Sequence, residues 1–554
     1  MPKIILSPLG SSLDTNDVIF KKNQAFMLAK EELLQKNRAD IKRGWGEEYA
    51  KRVKAKNKLT AQERIDLLAD NKEEILYLNT FANFGLNFGD DKKTSPNAGV
   101  ITALAKVDNK WVVIIANENT IASGSWWPNT PQKIIRAQEI ALTSGIPVIY
   151  LVDCSGLFLP EQSKTYPGKY GAGHIFKMNS LLSHKGIVQI AGVAGDCIAG
   201  GGYMPIISDK VFMTESAYMV IAGAALISQA KSQNISSHDI GGAHVHVHIS
   251  NCADERVPDD EILIEKIKAE VKKLPSSANN YYRGQFLSSP PKYDQSELLG
   301  ILPSSPKESY DIRQIIARLI DDSLFYEYDK DSGQEIICGL AKISGLWVGI
   351  LANCQDLFDH PNNPDKKRPG GILYKEGVSK LSRFSRILND DGVPMIWLQD
   401  VSGFDVGLEA EKQGLLSYGS NLIYGISTYT SPMMTILLRK ASGAGYYAMA
   451  GMPYDPWLQI ATTVSRLAVM EGQTLAVGAF NTKLNADLEK QKILADKIES
   501  DMDPYKAAAQ MDIDEIVALS ELRKYLCSFS EVFYQSTSFR RIKNPRIWSI
   551  FDHQ

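Results

Sequence analysis

The hydrophobic and polar positions of the chain predict two β-rich segments framed by polar helical sequence. Residues 1 to about 95 are mostly polar with a helical pattern, and the chain becomes charged and helical again after about residue 482. In the lead-in, Thr60-Ala61-Gln62-Glu63 predicts a capping box, in which Thr60 and Glu63 each bond the other's backbone amide. The lead-in is therefore expected to pack as helices beside the first β-rich segment.

Short apolar runs rich in β-branched residues begin near residue 98 and alternate with helical stretches. Such alternation predicts a layered α/β architecture. A similar succession starts near residue 310, after a proline- and serine-rich stretch at 288–306 that predicts an extended linker. The first-half strand runs lie at 100–102, 112–116, 148–152 and 188–193, and the helical stretches at 133–142 and 175–182.

The two halves also repeat each other's sequence in the same order. Three blocks recur: Leu104-Ala105-Lys106 as Leu340-Ala341-Lys342, Ser155-Gly156-Leu157 as Ser402-Gly403-Phe404, and Gly200-Gly201-Gly202-Tyr203 as Gly443-Ala444-Gly445-Tyr446. Two copies of one domain explain this repetition most simply. Each copy then has a turn at a strand end and a glycine-rich turn that opens a helix.

These paired turns suggest a chemistry that uses main-chain groups. The first amides of a helix have no partner inside the helix, and glycine permits the close approach of a substrate. Two amides that converge on one point form an oxyanion hole, which stabilises negative charge developing on a carbonyl oxygen. A tight turn is the ordinary reading of a single glycine cluster, but the recurrence of both turns in both halves favours the oxyanion hole.

Composition narrows the class of protein. The 554 residues are 44% hydrophobic and 23% charged with a net charge of -3, which is typical of a globular protein and argues against a nucleic-acid binder. The sequence has no run of about 18 apolar residues, as a membrane helix would need. Its six cysteines form no Cys-x-x-Cys pair, which favours reduced thiols, no zinc site and a cytoplasmic or organelle-matrix location.

Longer blocks carry a resemblance to a known family. The chain resembles the carboxyltransferase subunits of biotin-dependent acyl-CoA carboxylases and decarboxylases, over most of its length. The second half is most similar to the glutaconyl-CoA decarboxylase α-subunit, and branched-chain acyl-CoA carboxylase β-subunits are similar too. The blocks that carry the resemblance include Lys58 with the eight residues after it, Arg136-Ala137-Gln138-Glu139, Leu159-Pro160-Glu161-Gln162, Gly241-Gly242-Ala243, Arg383-Phe384 and Arg439-Lys440-Ala441-Ser442.

The resemblance implies a tandem repeat of two crotonase-like ββα-spiral domains, expected at residues 1–305 on the acyl-CoA side and 306–554 on the biotin side. It implies that Leu157 and Gly201 donate amides to the thioester oxygen, and that Phe404 and Ala444 donate amides to the biotin ureido oxygen. Flanking residues are expected to bind substrate (Gly156, Gly200, Gly202, Lys133, Arg136, Tyr447) or biotin (Gly403, Gly443, Gly445).

The resemblance further implies an enzyme that moves a carboxyl group from carboxybiotin to an acyl-CoA without a metal. Because the chain has no biotinylation sequence, biotin is expected on a separate carrier, with a biotin carboxylase as a further partner. A homo-oligomer is expected, a dimer at least and usually a hexamer, in which the first half of one subunit faces the second half of another. Two alternatives stay open: a glutaconyl-CoA decarboxylase α-subunit and a non-catalytic acyl-CoA-binding scaffold.

Several other residues have two interpretations. Lys133 and Arg136 could meet coenzyme A phosphates or lie on a solvated surface, and the basic run 51–58 favours a solvated helix. Trp126 and Trp127 favour a packed corner over an adenine site. His244, His246 and His248 alternate, so on a strand they could hold a metal, although a structural role for His246 is favoured.

Overall fold

The computed structural model describes residues 5–224, 235–274, 288–361, 363–469 and 488–535. It divides the chain into two compact units. The N-terminal unit comprises Lys36–Asn279 with Ala508–Met511, and the C-terminal unit comprises Met1–Gln35, Asn280–Ala507 and Asp512–Gln554. The expected boundary at residues 305/306 falls inside the C-terminal unit, and as a division between acyl-CoA and biotin sides it stays a prediction.

Each unit is built on one mixed sheet whose central strands are parallel, as the alternating sequence pattern predicts. The first strands are β1 (Ser7–Pro8), β2 (Leu76–Leu78), β3 (Val100–Val107), β4 (Lys110–Asn117), β5 (Val148–Cys154), β6 (Gln189–Ile198), β7 (Lys210–Thr214), β8 (Tyr218–Val220) and β9 (Glu255–Val257). The later strands are β10 (Leu324–Tyr328), β11 (Ile336–Ile343), β12 (Leu346–Asn353), β13 (Leu357–His360), β14 (Asn363–Pro369), β15 (Ile372–Leu373), β16 (Met395–Val401), β17 (Gly403–Phe404), β18 (Met433–Ser442), β19 (Leu458–Thr462), β20 (Arg466–Ala468) and β21 (Glu515–Val517).

The two sheets have the same strand order. In the N-terminal unit the order is β2-β3-β4-β5-β6-β7-β9, with β8 paired to β6. In the C-terminal unit it is β10-β11-β12-β16-β18-β19-β21, with β20 paired to β18 and β1 added at the β10 edge. The first hairpins are antiparallel and the following pairs are parallel in both sheets. The predicted α/β class is confirmed, and the sequence repeat corresponds to a repeat of topology.

Helices cover the faces of these sheets and leave the central strands buried. All residues of β5, β16 and β18 are buried, which is typical of parallel strands covered on both sides. The helices of the first half of the chain are Val18–Lys42, Glu47–Lys54, Ala61–Leu68, Thr130–Ser144, Gln162–Thr165, Ala172–His184, Tyr203–Ile207, Ser237–Gly241, Ala243–His248 and Asp260–Lys273. The later helices are Leu298–Ile301, Ile312–Ala317, Lys375–Asp390, Leu408–Lys412, Leu415–Thr428, Gly443–Ala448, Leu488–Asp501, Pro504–Ala509 and Leu522–Gln535.

The capping box at the start of helix Ala61–Leu68 is confirmed. The Thr60 hydroxyl accepts a hydrogen bond from the Glu63 amide, and the Glu63 carboxylate accepts one from the Thr60 amide at 2.8 Å. The helix buries Ala61, Ile65 and Leu68 against the core of the N-terminal unit. The part of the lead-in from Lys36 onward therefore joins that core and carries the buried side chain of Arg64 into it, whereas the residues before it belong to the C-terminal unit.

Two local expectations are wrong. The stretch at 288–306 is not an extended linker, because its apolar residues form helix Leu298–Ile301 and are buried, Leu298 at 1% exposure. The three histidines do not lie on a strand, because helix Ala243–His248 holds them. There His246 bonds the Met219 carbonyl oxygen at 2.6 Å, which fits its expected structural role.

Candidate active site

Each unit ties its strand-end turn to a neighbouring segment through main-chain hydrogen bonds. In the N-terminal unit, the Trp126 amide donates to the Gly156 carbonyl at 2.9 Å and the Phe158 amide donates to the Trp126 carbonyl at 2.8 Å. In the C-terminal unit, β15 pairs in parallel with β17 and the Asp405 amide donates to the Leu373 carbonyl at 3.0 Å. The two turns are thus held by equivalent bonds.

This pairing decides where the predicted donor amides point. Successive main-chain groups of an extended segment alternate in direction. Because the amides of Phe158 and Asp405 face the neighbouring segment, the amides of Leu157 and Phe404 face the opposite side. Both amides are therefore directed away from the hydrogen bonds that hold the turns, and their role in catalysis stays a prediction.

The glycine-rich turns open helices directly beside the strand-end turns. Residues 199–202 form a 3₁₀ turn after β6, and helix Gly443–Ala448 starts directly after β18. A Cβ added at Gly445 would lie 3.0 Å from the Gly403 Cα, so the two turns of the C-terminal unit are in contact. A Cβ added at Gly201 would lie 3.3 Å from the Cys154 Sγ.

The register of the strands corrects the way in which the glycine turns were matched between the halves. Cys154 pairs with Cys197 in one sheet, and Val401 pairs with Ala441 in the other. Counting from these pairs, Gly200 is equivalent to Ala444 and Gly201 is equivalent to Gly445. The matching of Gly201 with Ala444 is therefore wrong by one residue. The cause is that the three glycines of the first turn obscure the register of the sequence repeat.

Burial distinguishes the two members of each turn. Gly201 and Gly445 are buried and pack against the neighbouring strand, β5 or β16, whereas Ala444 is exposed and Gly200 is half-buried. Gly200, Ala444 and Gly445 lie at the start of a 3₁₀ turn or helix, where amides have no partner within the turn. Gly201 is the third residue of its 3₁₀ turn, where the i→i−3 pattern already provides an acceptor. The expected biotin-binding Gly443 has a φ of 56°, which glycine adopts without strain, and so lets the chain turn from β18 into the helix.

A buried aspartate joins the two strands in front of the turns of the N-terminal unit. The Asp153 carboxylate accepts hydrogen bonds from the amide of Asp196 on β6 at 3.2 Å and from the Asn119 side chain at 3.1 Å. Its charge is balanced by Arg64 at 3.2 Å and Lys58 at 3.2 Å, both supplied by the lead-in. Asp153 is 3% exposed, so this network belongs to the interior.

The C-terminal unit has an equivalent aspartate with another source of positive charge. The Asp400 carboxylate accepts a hydrogen bond from the Lys440 amide on β18 at 3.1 Å. Arg439, on the same strand, donates to the other carboxylate oxygen at 2.7 Å. Gln355 donates to the Asp400 carbonyl, and Asn353 accepts from the Asp400 amide at 3.0 Å. The carboxylate and its main-chain bond are thus shared, whereas the cations are not.

A cavity of about 480 Å³ lies in the N-terminal unit beside Asp153 and Asp196. Its lining combines aromatic rings with basic side chains: Trp45, Tyr49, Arg52, Lys56 and Lys58. Four of these five residues come from helix Glu47–Lys54 and its flanks, before the buried Lys58. The basic run interpreted as a solvated helix therefore lines a cavity. The sequence signal for the cavity was the pair Trp45 and Tyr49, aromatic residues at helical spacing that precede the basic run.

The other predicted coenzyme A contacts are less accessible. Lys133 is 1% exposed and its ammonium donates to the Asn97 carbonyl at 3.0 Å, which argues against a contact with a phosphate. Arg136 lies 3.8 Å from Glu139 on the same helix and its side chain is 15% exposed. Trp127 is buried and stacks on Phe158 with ring centroids 3.7 Å apart, so the packed-corner interpretation is confirmed.

The side chains around the turns offer little nucleophilic chemistry. Burial raises the pKa of Cys154 to about 12, and the Cys154 thiol therefore stays protonated at neutral pH. Among the residues that the structure describes, no group of three or more His, Cys, Asp or Glu residues is arranged to hold a metal ion. These turns therefore offer backbone amides, and the buried Cys154 is not a thiolate nucleophile at neutral pH.

Comparison with known proteins identifies the family. A match to the carboxyl transferase domain covers residues 52–547. The chain belongs to the carboxyl transferase family. It is 32% identical over 540 residues to the mitochondrial methylcrotonoyl-CoA carboxylase beta chain of Arabidopsis thaliana, covering 94% of this chain and 88% of that one. It is also 31% identical over 518 residues to the glutaconyl-CoA decarboxylase subunit alpha of Acidaminococcus fermentans, covering 87% and 86%.

The fold agrees with that of a solved family member. The beta subunit of Pseudomonas aeruginosa geranyl-CoA carboxylase matches with a TM-score of 0.83 and 26% identity, over 96% of this chain and 98% of that subunit. The family and fold expected from the sequence are therefore confirmed. The carboxyl transferase chain is accordingly an enzyme of the biotin-dependent acyl-CoA carboxylase type.

Two further expectations bear on this carboxyl transferase. Tyr447, expected to shape the acyl pocket, is 45% exposed and lies in the helix that starts at Gly443, beside Tyr446 and Tyr454. Its exposure argues against a role in the core. None of the described helices has the length and apolar character of a membrane span.

Proposed function

We propose that this chain is the carboxyltransferase β-subunit of an acyl-CoA carboxylase and transfers a carboxyl group from carboxybiotin to an acyl-CoA thioester. The observation that carries the proposal is the duplicated pair of turns, each with an amide directed away from its neighbouring segment. Membership of the carboxyl transferase family agrees with it. Carboxybiotin, when bound, supplies the carboxyl group, and a separate carrier protein brings it.

The proposed roles of the residues follow from where negative charge develops. Loss of the α-carbon proton, which the N1 nitrogen of biotin would accept as it gives up the carboxyl group, leaves negative charge on the thioester oxygen as an enolate. Leu157 and an amide of the Gly200–Gly201 pair would stabilise that oxygen in the N-terminal unit. Phe404 and an amide of the Ala444–Gly445 pair would stabilise the ureido oxygen at the biotin side. Removal of one such donor costs about 100- to 1000-fold in kcat.

The cavity beside Asp153 supports a place for the charged end of coenzyme A. Arg52 and Lys56 line it together with the Tyr49 ring, which the Arg52 guanidinium overlies at 4.8 Å. Exposed cations attract phosphate groups electrostatically, and added salt screens this attraction. We expect the double variant Arg52→Ala, Lys56→Ala to raise KM for acyl-CoA several-fold at low salt. KM for the matching N-acetylcysteamine thioester, which lacks the phosphates, should not change.

Exposed apolar side chains support a homo-oligomer. Leu159 is 67% exposed and Val406 is 84% exposed, and each lies two residues beyond a predicted donor amide. Leu408 and Leu416 extend this apolar rim in the C-terminal unit. A second copy of the chain that covered these side chains would remove them from water and exclude water from the turns. We propose a dimer at least, with a hexamer as the expected assembly and a cytoplasmic or organelle-matrix location.

Proline at Ala444 tests the amide mechanism. Ala444 is the second residue of its helix and is exposed, so proline would remove its amide with little steric cost. Glu261 is the exposed second residue of helix Asp260–Lys273 and provides a matched control. We expect Ala444→Pro to lower kcat for carboxylation of acyl-CoA by about 100-fold or more, and Glu261→Pro to leave it near the wild-type value. Equal activities of the two variants would refute the role of the Ala444 amide.

The relative from Acidaminococcus favours a second candidate, a decarboxylase α-subunit that moves the carboxyl group from glutaconyl-CoA to biotin. The same turns would stabilise the same charges in that direction. Assays with unsubstituted acyl-CoAs plus carboxybiotin, and with carboxylated acyl-CoAs plus biotin, would distinguish the two. A folded protein that binds acyl-CoA but transfers nothing in either direction would instead indicate a non-catalytic scaffold.

A further inference from the structure

We infer that Asp153 and Asp400 are positioning residues, each of which fixes the separation of the two strands that carry a pair of predicted donor amides. The inference rests on the proposed function, because it concerns the same four turns. Neither aspartate reaches a turn itself. Each acts through a hydrogen bond between its carboxylate and the main chain of the neighbouring strand.

The two aspartates occupy equivalent places where the pairing of the strands is interrupted. Between two regular pairs of β5 and β6, Asp153 alone lies opposite residues 194–196. Between two regular pairs of β16 and β18, Asp400 alone lies opposite residues 438–440. Each is thus the single residue opposite a bulge. The flanking pairs are Val152 with Val193, Cys154 with Cys197, Gln399 with Leu437, and Val401 with Ala441.

A bulge interrupts the hydrogen bonds of the ladder and bends the strand, and here it lies inside a buried core. In both units the carboxylate accepts the amide of the last bulged residue, Asp196 at 3.2 Å and Lys440 at 3.1 Å. The side chain thereby replaces a missing main-chain acceptor. It also fixes the bend at which the strand leaves the sheet toward the glycine turn.

The distance along the chain from this bond to the donors is short and equal in both units. Asp153 precedes Leu157 by the same number of residues as Asp400 precedes Phe404, and Asp196 precedes Gly200 as Lys440 precedes Ala444. In each unit the carboxylate therefore links the two strands only a few residues before the two predicted donor amides. Because a misplacement of about 1 Å can cost about 100-fold in rate, this bond should control catalysis from outside the site.

A comparison of the two units shows which contact of the aspartate fixes the position of the strands. Arg439 neutralises Asp400 from within the bulge, whereas the equivalent Gly195 has no side chain and leaves room for Lys58. A Cβ at Gly195 would lie 2.1 Å from an Asp153 oxygen and 2.3 Å from the Lys58 ammonium. The cation can thus come from different elements. The bond from carboxylate to bulge amide is the part that both units share.

The variants Asp153→Asn and Asp400→Asn test this inference in the full-length assembly. Asparagine has the same shape but replaces one carboxylate oxygen with an NH2 donor, which would meet either the bulge amide or the guanidinium of Arg64 or Arg439, so it weakens the bond that joins the strands. We expect each to lower kcat by about 30- to 100-fold. In the direction from a carboxylated acyl-CoA to free biotin, Asp400→Asn should raise KM for biotin and change KM for the acyl-CoA by no more than about two-fold. Asp153→Asn should do the reverse. Amide hydrogen exchange should become faster only at 194–201 in Asp153→Asn and only at 438–446 in Asp400→Asn.

Asp321→Asn is the matched control. Asp321 is buried, pairs with Arg523 at 2.6 Å and accepts the Gly345 amide at 2.6 Å, at the start of β12 and so at the sheet edge opposite the turns. The Asp321→Asn variant should be less stable than wild type. It should leave KM for acyl-CoA, KM for biotin and the amide exchange rates at 438–446 unchanged. An equal loss of kcat in Asp321→Asn and Asp400→Asn, or unchanged exchange at the bulges, would overturn the inference. A wild-type protein that transfers nothing would refute the proposed function alone, and hydrogen exchange would still decide the positioning role.

Discussion

The two units build the same pair of turns on the same strand order but hold them together in different ways. In the N-terminal unit, the buried aspartate depends on two cations that a polar lead-in brings from outside the repeat. In the C-terminal unit, one arginine within the repeated strand balances the charge and also donates to the carbonyls of Ser305 and Glu308. A duplicated scaffold can therefore keep its donor geometry while its electrostatic support changes.

The turns differ in steric tolerance as well. A Cβ at Gly201 would meet the Cβ and sulfur of Cys154 at 3.3 Å, which is tight but adjustable. A Cβ at the equivalent Gly445 would meet Val401 at 2.7 Å and the Gly403 backbone at 3.0 Å. The turns of the C-terminal unit are therefore packed against each other's main chain, whereas the glycine turn of the N-terminal unit rests on a side chain.

The largest expected effect separates these two glycines. Gly445→Ala should lower kcat by about 100-fold, because its methyl group must displace the Gly403 backbone and with it the neighbouring Phe404 amide. Gly201→Ala should lower kcat by less than about 10-fold, because Cys154 can move by a few tenths of an ångström. Steady-state carboxylation assays on variants with native circular dichroism would measure both. A Gly201→Ala loss as large as that of Gly445→Ala would contradict the steric difference.

The next effect concerns the charge on the buried aspartates. Arg439→Met leaves Asp400 without its paired cation, and breaking a buried pair in this way costs about 3–5 kcal/mol. Lys58→Met should cost less, because Arg64 still pairs with Asp153 at 3.2 Å. Urea unfolding of both variants against wild type would give the two values. If Lys58→Met were as destabilising as Arg439→Met, the lead-in cations would not share the charge as the distances indicate.

The sequence predicts the individual strands, caps and turns of the two units better than the pairing between distant strands. The strands, the capping box at Thr60 and the turns at Gly156 and Gly403 follow from local patterns, because periodicity and glycine placement act over a few residues. The bulges opposite Asp153 and Asp400 could not be predicted, since a bulge is defined by the pairing of two distant strands. The sequence match displaced the glycine turns by one residue because three consecutive glycines leave the register of the repeat undefined until the strand pairing is known.

Burial of polar side chains was the other failure of prediction. Lys133 has the spacing of a surface helix residue but its ammonium bonds the Asn97 carbonyl inside the N-terminal unit. Lys58 belongs to a basic run but turns inward to Asp153. The partner that makes such burial possible lies far along the chain in each case. Composition and periodicity carry no information about that partner.

A third prediction uses a position where the C-terminal unit alone carries a charge. Glu335 is equivalent to Gly99, and burial raises the pKa of Glu335 from 4.5 to about 7. The folded state therefore binds the proton more tightly than the unfolded state. This contribution to stability is complete below pH 4.5 and is lost as the pH rises through about 7.

Replacement of Glu335 by glutamine should remove that pH dependence. Glu335→Gln should gain up to about 3 kcal/mol relative to wild type between pH 5 and pH 8.5, with most of the gain by pH 7.5. The difference in urea midpoint between the two proteins, measured across this range, reports the effect. A difference that stays constant with pH would show that Glu335 is ionised in the folded protein at every pH tested.

The smallest effect concerns the capped helix Ala61–Leu68 of the lead-in. Thr60→Ala removes the side-chain bond to the Glu63 amide and should cost about 1 kcal/mol, as the loss of a helix N-cap usually does. Because the capped helix carries Arg64 to Asp153, KM for acyl-CoA should rise slightly while KM for biotin stays constant. Thermal unfolding and steady-state kinetics would measure the two quantities. Since Thr60→Ser keeps the hydroxyl acceptor, it should restore both, and a Thr60→Ala variant that changed the biotin KM instead would show that the lead-in supports the other pair of turns.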